Sequence, residues 1–151
     1  MKNLVKKMFT KEDLAAIASA IGEAEKTTAG EIRVSIRQRR KWREKKRTLD
    51  ELARQEFHLL GMTKTKERTG ILIFLLLEDK KFYILADQGI HAKVEDGTWL
   101  KIANEMSEHF SKQNFRNGII HGVSSVGGVL SKYFPKKDND LNELPNEVHV
   151  L

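Results

Sequence analysis

Hydrophobic and polar positions along this chain switch between a helical and a strand period. Leu14, Ile17, Ala18, Ile21 and Ala24 recur at helical spacing behind Thr10, which forms a relative of the capping box with Asp13. This predicts a first helix that stops near Thr27-Thr28-Ala29-Gly30. Glu31 to Arg37 then alternates, with Ile32, Val34 and Ile36 apolar, as a strand with one buried face does. Thr48 and Glu51 start a second helix with the stripe Leu49, Leu52, Ala53, Phe57 and Leu60, and Gly61 is its natural stop.

From Gly70 to Leu77 the chain is continuously apolar, which suits a central strand covered on both faces. Glu78 to Lys81 reads as a turn and Phe82 to Ala86 as the returning strand of a hairpin. Thr98 is expected to cap a third helix carrying Trp99, Ile102, Ala103, Met106 and Phe110 on one side. A fourth runs from about Phe115 to Phe134 through Ile119, Val123, Val126 and Leu130, and Pro135 ends it. The alternation at Val148 and Val150 suits a short strand added to a sheet edge. In this order of elements the crossover makes the first two strands parallel and the hairpin makes the third antiparallel. A three-layer α/β/α sandwich satisfies the pattern, with residues 1–135 as the domain and 136–151 as a polar, acidic tail.

Composition narrows the classes. A chain of 151 residues is one domain and can build a core without covalent staples. It has no cysteine, which excludes a disulfide scaffold, thiolate zinc and a cysteine nucleophile. The longest apolar run falls far short of the ~20 residues a membrane span needs. The N-terminal residues show no signal-peptide pattern, so the expected address is cytoplasmic. Charge is concentrated. Arg37, Arg39, Arg40, Lys41, Arg43, Lys45, Lys46 and Arg47 surround one acid, Glu44, giving this segment a formal +7 while the remainder sums to −1.

Several motifs fail. Gly122 to Gly127 has the glycine spacing of a phosphate loop, but Gly128-Val129 follows instead of Lys-Ser/Thr. Gly118, Gly122, Gly127 and Gly128 are better explained as close-packing positions in a helix. The histidines lack paired metal spacing, and no Gly-x-Ser-x-Gly elbow exists. Topology supplies one cluster. The start of strand one (Glu31), the start of strand two (Arg68) and the end of strand three (Asp87) meet at one end of the sheet. Glu25 and Thr28 from helix one, and Asp96 before helix three, reach the same rim. Glu31, Asp87 and Asp96 would suit a hard cation, Ca²⁺ or Mg²⁺. Alternatively Glu31 and Asp87 pair with Arg68 or cap a turn.

The stretches EKTTAGEIRV (25–34), LGMTKTKERTG (60–70) and ADQGI (86–90), then Trp99, the glycines from 118 to 127 and the YFP at 133–135 resemble the TPM domain family. The tail DNDLNELPNE (138–147) is similar to the ending of its short, soluble bacterial branch. The likeness runs from about residue 8 to 149, in order. It implies a Rossmann-like α/β/α sandwich, a divalent-cation site and an acid phosphatase activity. The segment 37–47 matches no motif of that family.

Two function classes follow. One is a cation-binding domain with possible phosphatase chemistry. The other is a non-catalytic interaction module in which Arg39, Arg40, Lys41, Trp42, Arg43, Lys45, Lys46 and Arg47 meet an acidic partner. That basic loop is expected to be solvated and mobile, binding polyanions without sequence preference, and the protein is expected to be a monomer.

Overall fold

Two threonines start helices as the pattern predicts. In the computed structural model, which describes residues 3–136 and 145–151, Thr10 and Thr48 each accept a hydrogen bond from the backbone three residues on. Asp13 and Glu51 return the contact, so both capping boxes are complete. The elements are α1 (Leu4–Met8), α2 (Lys11–Glu25), β1 (Glu31–Arg37), α3 (Leu49–Leu59), β2 (Gly70–Leu76), β3 (Lys81–Ala86), α4 (Gln88–His91), α5 (Asp96–Ser111), α6 (Phe115–Tyr133) and β4 (His149–Val150). Single 3₁₀ turns occupy Trp42–Glu44 and Met62–Lys64.

The four strands form an open mixed sheet in the order β3-β2-β1-β4. β1 runs parallel to β2, with Glu31 opposite Gly70 and Arg37 opposite Leu76. β3 returns antiparallel to β2, and β4 adds to the free edge of β1 through Ser35–His149 and Ile36–Val150. Two apolar clusters lie on the sheet. Ile32, Val34, Ile36, Ile71, Ile73 and Leu75 meet side chains of α2, α5 and α6. Leu72, Phe74, Leu76 and Leu85 meet Leu52, Ala53 and Phe57 of α3 together with Met62. β2 is therefore buried at every position, as its unbroken apolarity predicts.

β1 departs from expectation. Its alternation predicts one buried face, yet apart from the half-buried Arg33 the whole strand is buried. Ser35 and Arg37 are covered because each finds a partner, whereas the Arg33 Nε is buried without a hydrogen bond. Ser35 donates to the buried Glu56 of α3, Arg37 pairs with the buried Glu44, and Arg33 lies in the field of Glu147 and Glu56. Buried polar groups are tolerated when they are paired.

Other differences are local. Glu95, not Thr98, is the N-cap residue of the third long helix, so Thr98 sits inside its first turn. The short helices α1 and α4 carry too few residues for a periodic signal. Three of the four glycines do pack closely. A methyl at Gly118 would meet Phe110, at Gly122 it would lie 2.5 Å from the Met106 sulfur, and at Gly127 it would lie 2.7 Å from Ala24 Cβ. Gly128 faces open space, so close packing does not explain it. Residues 137–144 of the acidic tail, and with them most of the family-like ending, lie outside the described residues. Among the described residues no helix is long and apolar enough to cross a membrane.

Candidate functional site

The register of the sheet places three expected positions side by side. Glu31 stands opposite Gly70 and donates its backbone N–H to Thr69 (3.1 Å), while Asp87 donates its own to the Gly70 carbonyl (2.9 Å). The starts of β1 and β2 and the end of β3 thus form one rim, with Glu31 and Asp87 two strands, ~10 Å of backbone, apart.

Glu25, the last residue of α2, folds back over this rim. Its Oε2 accepts the N–H of Ile32 at 2.7 Å, and its Oε1 is buried with no hydrogen-bond partner. Burial raises its pKa from the usual 4.5 to about 8. The Ile32 N–H opposes this shift, the neighbouring Glu31 carboxylate adds to it, and Lys136 offsets part of it. Glu31 is itself 2% exposed. Two buried carboxyl groups therefore face one another, which requires either a proton or a cation between them.

Asp87 is held differently. Arg68 forks onto both of its oxygens, Nε to Oδ2 at 2.7 Å and Nη2 to Oδ1 at 2.8 Å, and Oδ1 also accepts the N–H of Gln88 at the head of α4. Arg68 adopts a left-handed backbone (φ 57°), uncommon for a residue with a side chain. Behind it Gly89 allows a close approach of backbone. A methyl there would lie 2.5 Å from the Glu67 carbonyl oxygen and 2.6 Å from that of Arg68.

The remaining rim candidates separate. Thr28 is a clamp: its hydroxyl donates to the Phe134 carbonyl (2.5 Å) and accepts from the Gly30 N–H (3.0 Å), tying the α2–β1 turn to the end of α6. Asp96 does not join the carboxylates. It opens α5 with its side chain 93% exposed, and its Oδ1 lies 3.7 Å from His91 Nδ1. The unpredicted α4 stands between β3 and this residue in the chain. Among the described residues no set of three His, Cys, Asp or Glu side chains is placed to hold a metal ion. Glu25, expected only in support, carries the most perturbed chemistry of the rim. One signal of this was available, since an acid in the last turn of a helix, with no basic residue there, opposes the helix dipole.

The other end of β1 is basic, and the loop that follows it is tied to the sheet by ion pairs and hydrogen bonds. Arg37 pairs with Glu44, both nearly fully buried. Glu44 also accepts the Lys41 N–H and the Gln55 amide, each at 2.8 Å. Arg40 reaches Asp79 at 2.9 Å and the carbonyls of Glu44 and Arg47. Burial raises the Glu44 pKa, but the Lys41 N–H, Gln55 and Arg37 outweigh it, so the carboxyl is held below its usual range. Trp42 stands 80% exposed on this turn.

The family model described as the TPM domain matches residues 5–129. The BA42 protein of the psychrophilic bacterium Bizionia argentinensis, solved by NMR, is 38% identical over 95% of each chain, with a TM-score of 0.86. An N-terminal domain from P. gingivalis is 19% identical over 84% of this chain and 79% of its own (TM-score 0.68). The N-terminal domain of the cg2496 protein of Corynebacterium glutamicum is 14% identical over 88% and 80% (TM-score 0.62), and these two likenesses are of fold alone. No curated protein matches.

Proposed function

This chain belongs to the TPM domain family, and on that premise we propose that it binds a hard divalent cation, Ca²⁺ or Mg²⁺, at the Glu25–Glu31 pair. The observation that carries this is the buried Glu25 carboxyl, which meets a single backbone N–H and is set directly against a second buried carboxyl, Glu31. Oxygen donors without thiolate suit a hard ion, and two carboxylates leave room for backbone carbonyls and water. Asp87, neutralised by Arg68, is the adjoining group that shapes the rim, and Asp96 stays outside it. Glu25 must release its proton to act as a ligand, so affinity should increase as pH approaches 8.

Phosphatase turnover belongs to the same proposal, and it should rise toward pH 8 with the occupancy of the cation. An ester phosphate oxygen would be polarised by a cation held at this rim. Cation-dependent release of phosphate from p-nitrophenyl phosphate, lost in Glu31→Gln, is its assay. Helices on both faces of the sheet also support reading the fold as a three-layer, Rossmann-like sandwich.

The binding test is thermal. Millimolar Ca²⁺ or Mg²⁺ should raise the melting temperature, more at about pH 8 than at about pH 6. Glu25→Gln and Glu31→Gln should lose the increment and Asp87→Asn should keep most of it. No increment in the parent chain would mean that the pair only shares a proton, and the proposal would fail.

A second reading is favoured by the pinned basic loop. We read it as the contact surface of an interaction module for an acidic partner, because its one acid is buried in pairing with Arg37 while Arg39, Lys41, Trp42, Arg43, Lys45, Lys46 and Arg47 are exposed.

A further inference from the structure

The basic end of the molecule combines three features that folding does not require. The first is the exposed indole of Trp42. It sits on a 3₁₀ turn fixed by the Glu44 contacts, so the backbone presents it to water instead of letting it fold inward. The second is the charge around it. Lys41, Arg43, Lys45 and Lys46 are exposed. α1 is tied in by the Leu4 N–H donating to Gln38 Oε1 (3.0 Å), which brings the exposed Lys6 and Lys7 to this end. The third is a groove lined by cations, with Trp42 and Leu151 as its apolar edges. It is open, has a volume of roughly 730 Å³, and runs between residues 37–42, Lys45 and Leu151. Leu151 and its neighbour Val150 are 52% and 39% exposed.

We infer that this end docks onto an anionic lipid surface, with the lysines and arginines over the headgroup phosphates and Trp42 and Leu151 seated at the interface. The inference rests on the second reading above and supplies its partner. Cations that flank an amphipathic aromatic and small apolar tips match the layering of a bilayer interface. A single-stranded nucleic acid is the competing polyanion. Surfaces that bind it stack successive bases on several aromatic side chains. Here Trp42 stands alone. Among the described residues the other exposed large aromatic, Tyr133, ends α6 beside Phe134, which is tied to Thr28 at the opposite end of the sheet. Docked this way, the molecule would turn its carboxylate rim toward the water, ~20 Å away along β1.

The experiment is co-sedimentation of the full chain with two kinds of vesicle, phosphatidylcholine alone and phosphatidylcholine with roughly a third phosphatidylserine. Anisotropy with labelled oligothymidylate runs in parallel. Binding is expected to the anionic vesicles only, to weaken with salt, and to shift tryptophan emission to the blue, a change that reports Trp42 because Trp99 is buried. Lys45→Gln with Lys46→Gln should weaken binding ~25-fold, about fivefold per cation. Trp42→Ala should also weaken it, and both variants should melt with the parent because the altered groups are exposed. Equal binding to both vesicles, or anionic binding untouched by these substitutions, would overturn the assignment. Binding to oligothymidylate without vesicle binding would overturn the lipid partner and keep the polyanion surface. Binding to neither would remove both.

Discussion

Glu25 and Glu44 are both glutamates, are both nearly fully buried, and lie at opposite ends of the same strand. Burial pushes each toward the neutral form. At the basic end a guanidinium, an amide and a backbone N–H outweigh that push and leave Glu44 more acidic than usual. At the rim Glu25 receives one backbone N–H, faces another carboxylate, and keeps its proton to about pH 8. Burial alone does not decide the charge of an interior carboxyl; the donors that meet it do. The ends should therefore respond to pH with opposite sign. Stability from Glu44 is present above the ordinary carboxylate pKa and is lost as pH falls through its depressed value. Glu25 holds a proton in the folded state that the unfolded chain releases, so its contribution weakens as pH rises from 4.5 to about 8.

The largest expected effect severs the two ends together. Phe74 lies fully buried at the middle of β2, and Phe74→Asp should cost about 4 kcal/mol by leaving a buried charge unpaired, read as the loss of a folded transition in urea. Arg37→Ala breaks only the basic end. It should cost about 3 kcal/mol, because Glu44 keeps its Lys41 and Gln55 hydrogen bonds, and the loss should shrink as acid neutralises Glu44. Glu25→Gln acts at the other end with the reverse sign. It should stabilise the cation-free protein at pH 8 by on the order of 2 kcal/mol and flatten the pH dependence between 4.5 and about 8. A Glu25→Gln profile parallel to that of the parent would show that the Glu25 pKa is not raised in the folded protein. The smallest effect is at the surface, where Trp42→Ala should leave stability within about 0.5 kcal/mol of the parent.

What could be read from the sequence depended on range. The caps at Thr10 and Thr48, the bounds of β1 and the burial of β2 follow from residues within a few positions of one another. The burial of Ser35 and Arg37 does not, because their acidic partners Glu56 and Glu44 lie elsewhere in the chain. The rim was legible as a place, since strand direction brings Glu31, Arg68 and Asp87 to one end. Its composition was not. Asp96 is expected there because strand direction brings the start of the third helix to the same rim, and the four residues of α4 between β3 and α5 are too short to leave a pattern. Glu44 carried a visible sign, a single acid among eight cations, and the natural inference from it is a structural tie.

The pairing of β4 with β1 joins residues more than a hundred positions apart through two register positions and the Leu151 N–H on the Ile36 carbonyl (3.0 Å). So small a strand, closing so long a loop, is the kind of element that opens without the rest of the domain following. Amide exchange should find Leu151 open on a far shorter timescale than Ile71 to Leu75. Because Leu151 lines the groove beside Trp42, each opening would remove one wall of that groove. The shape of the basic end would then vary in time, while the rim, built from the starts of β1 and β2, keeps its form.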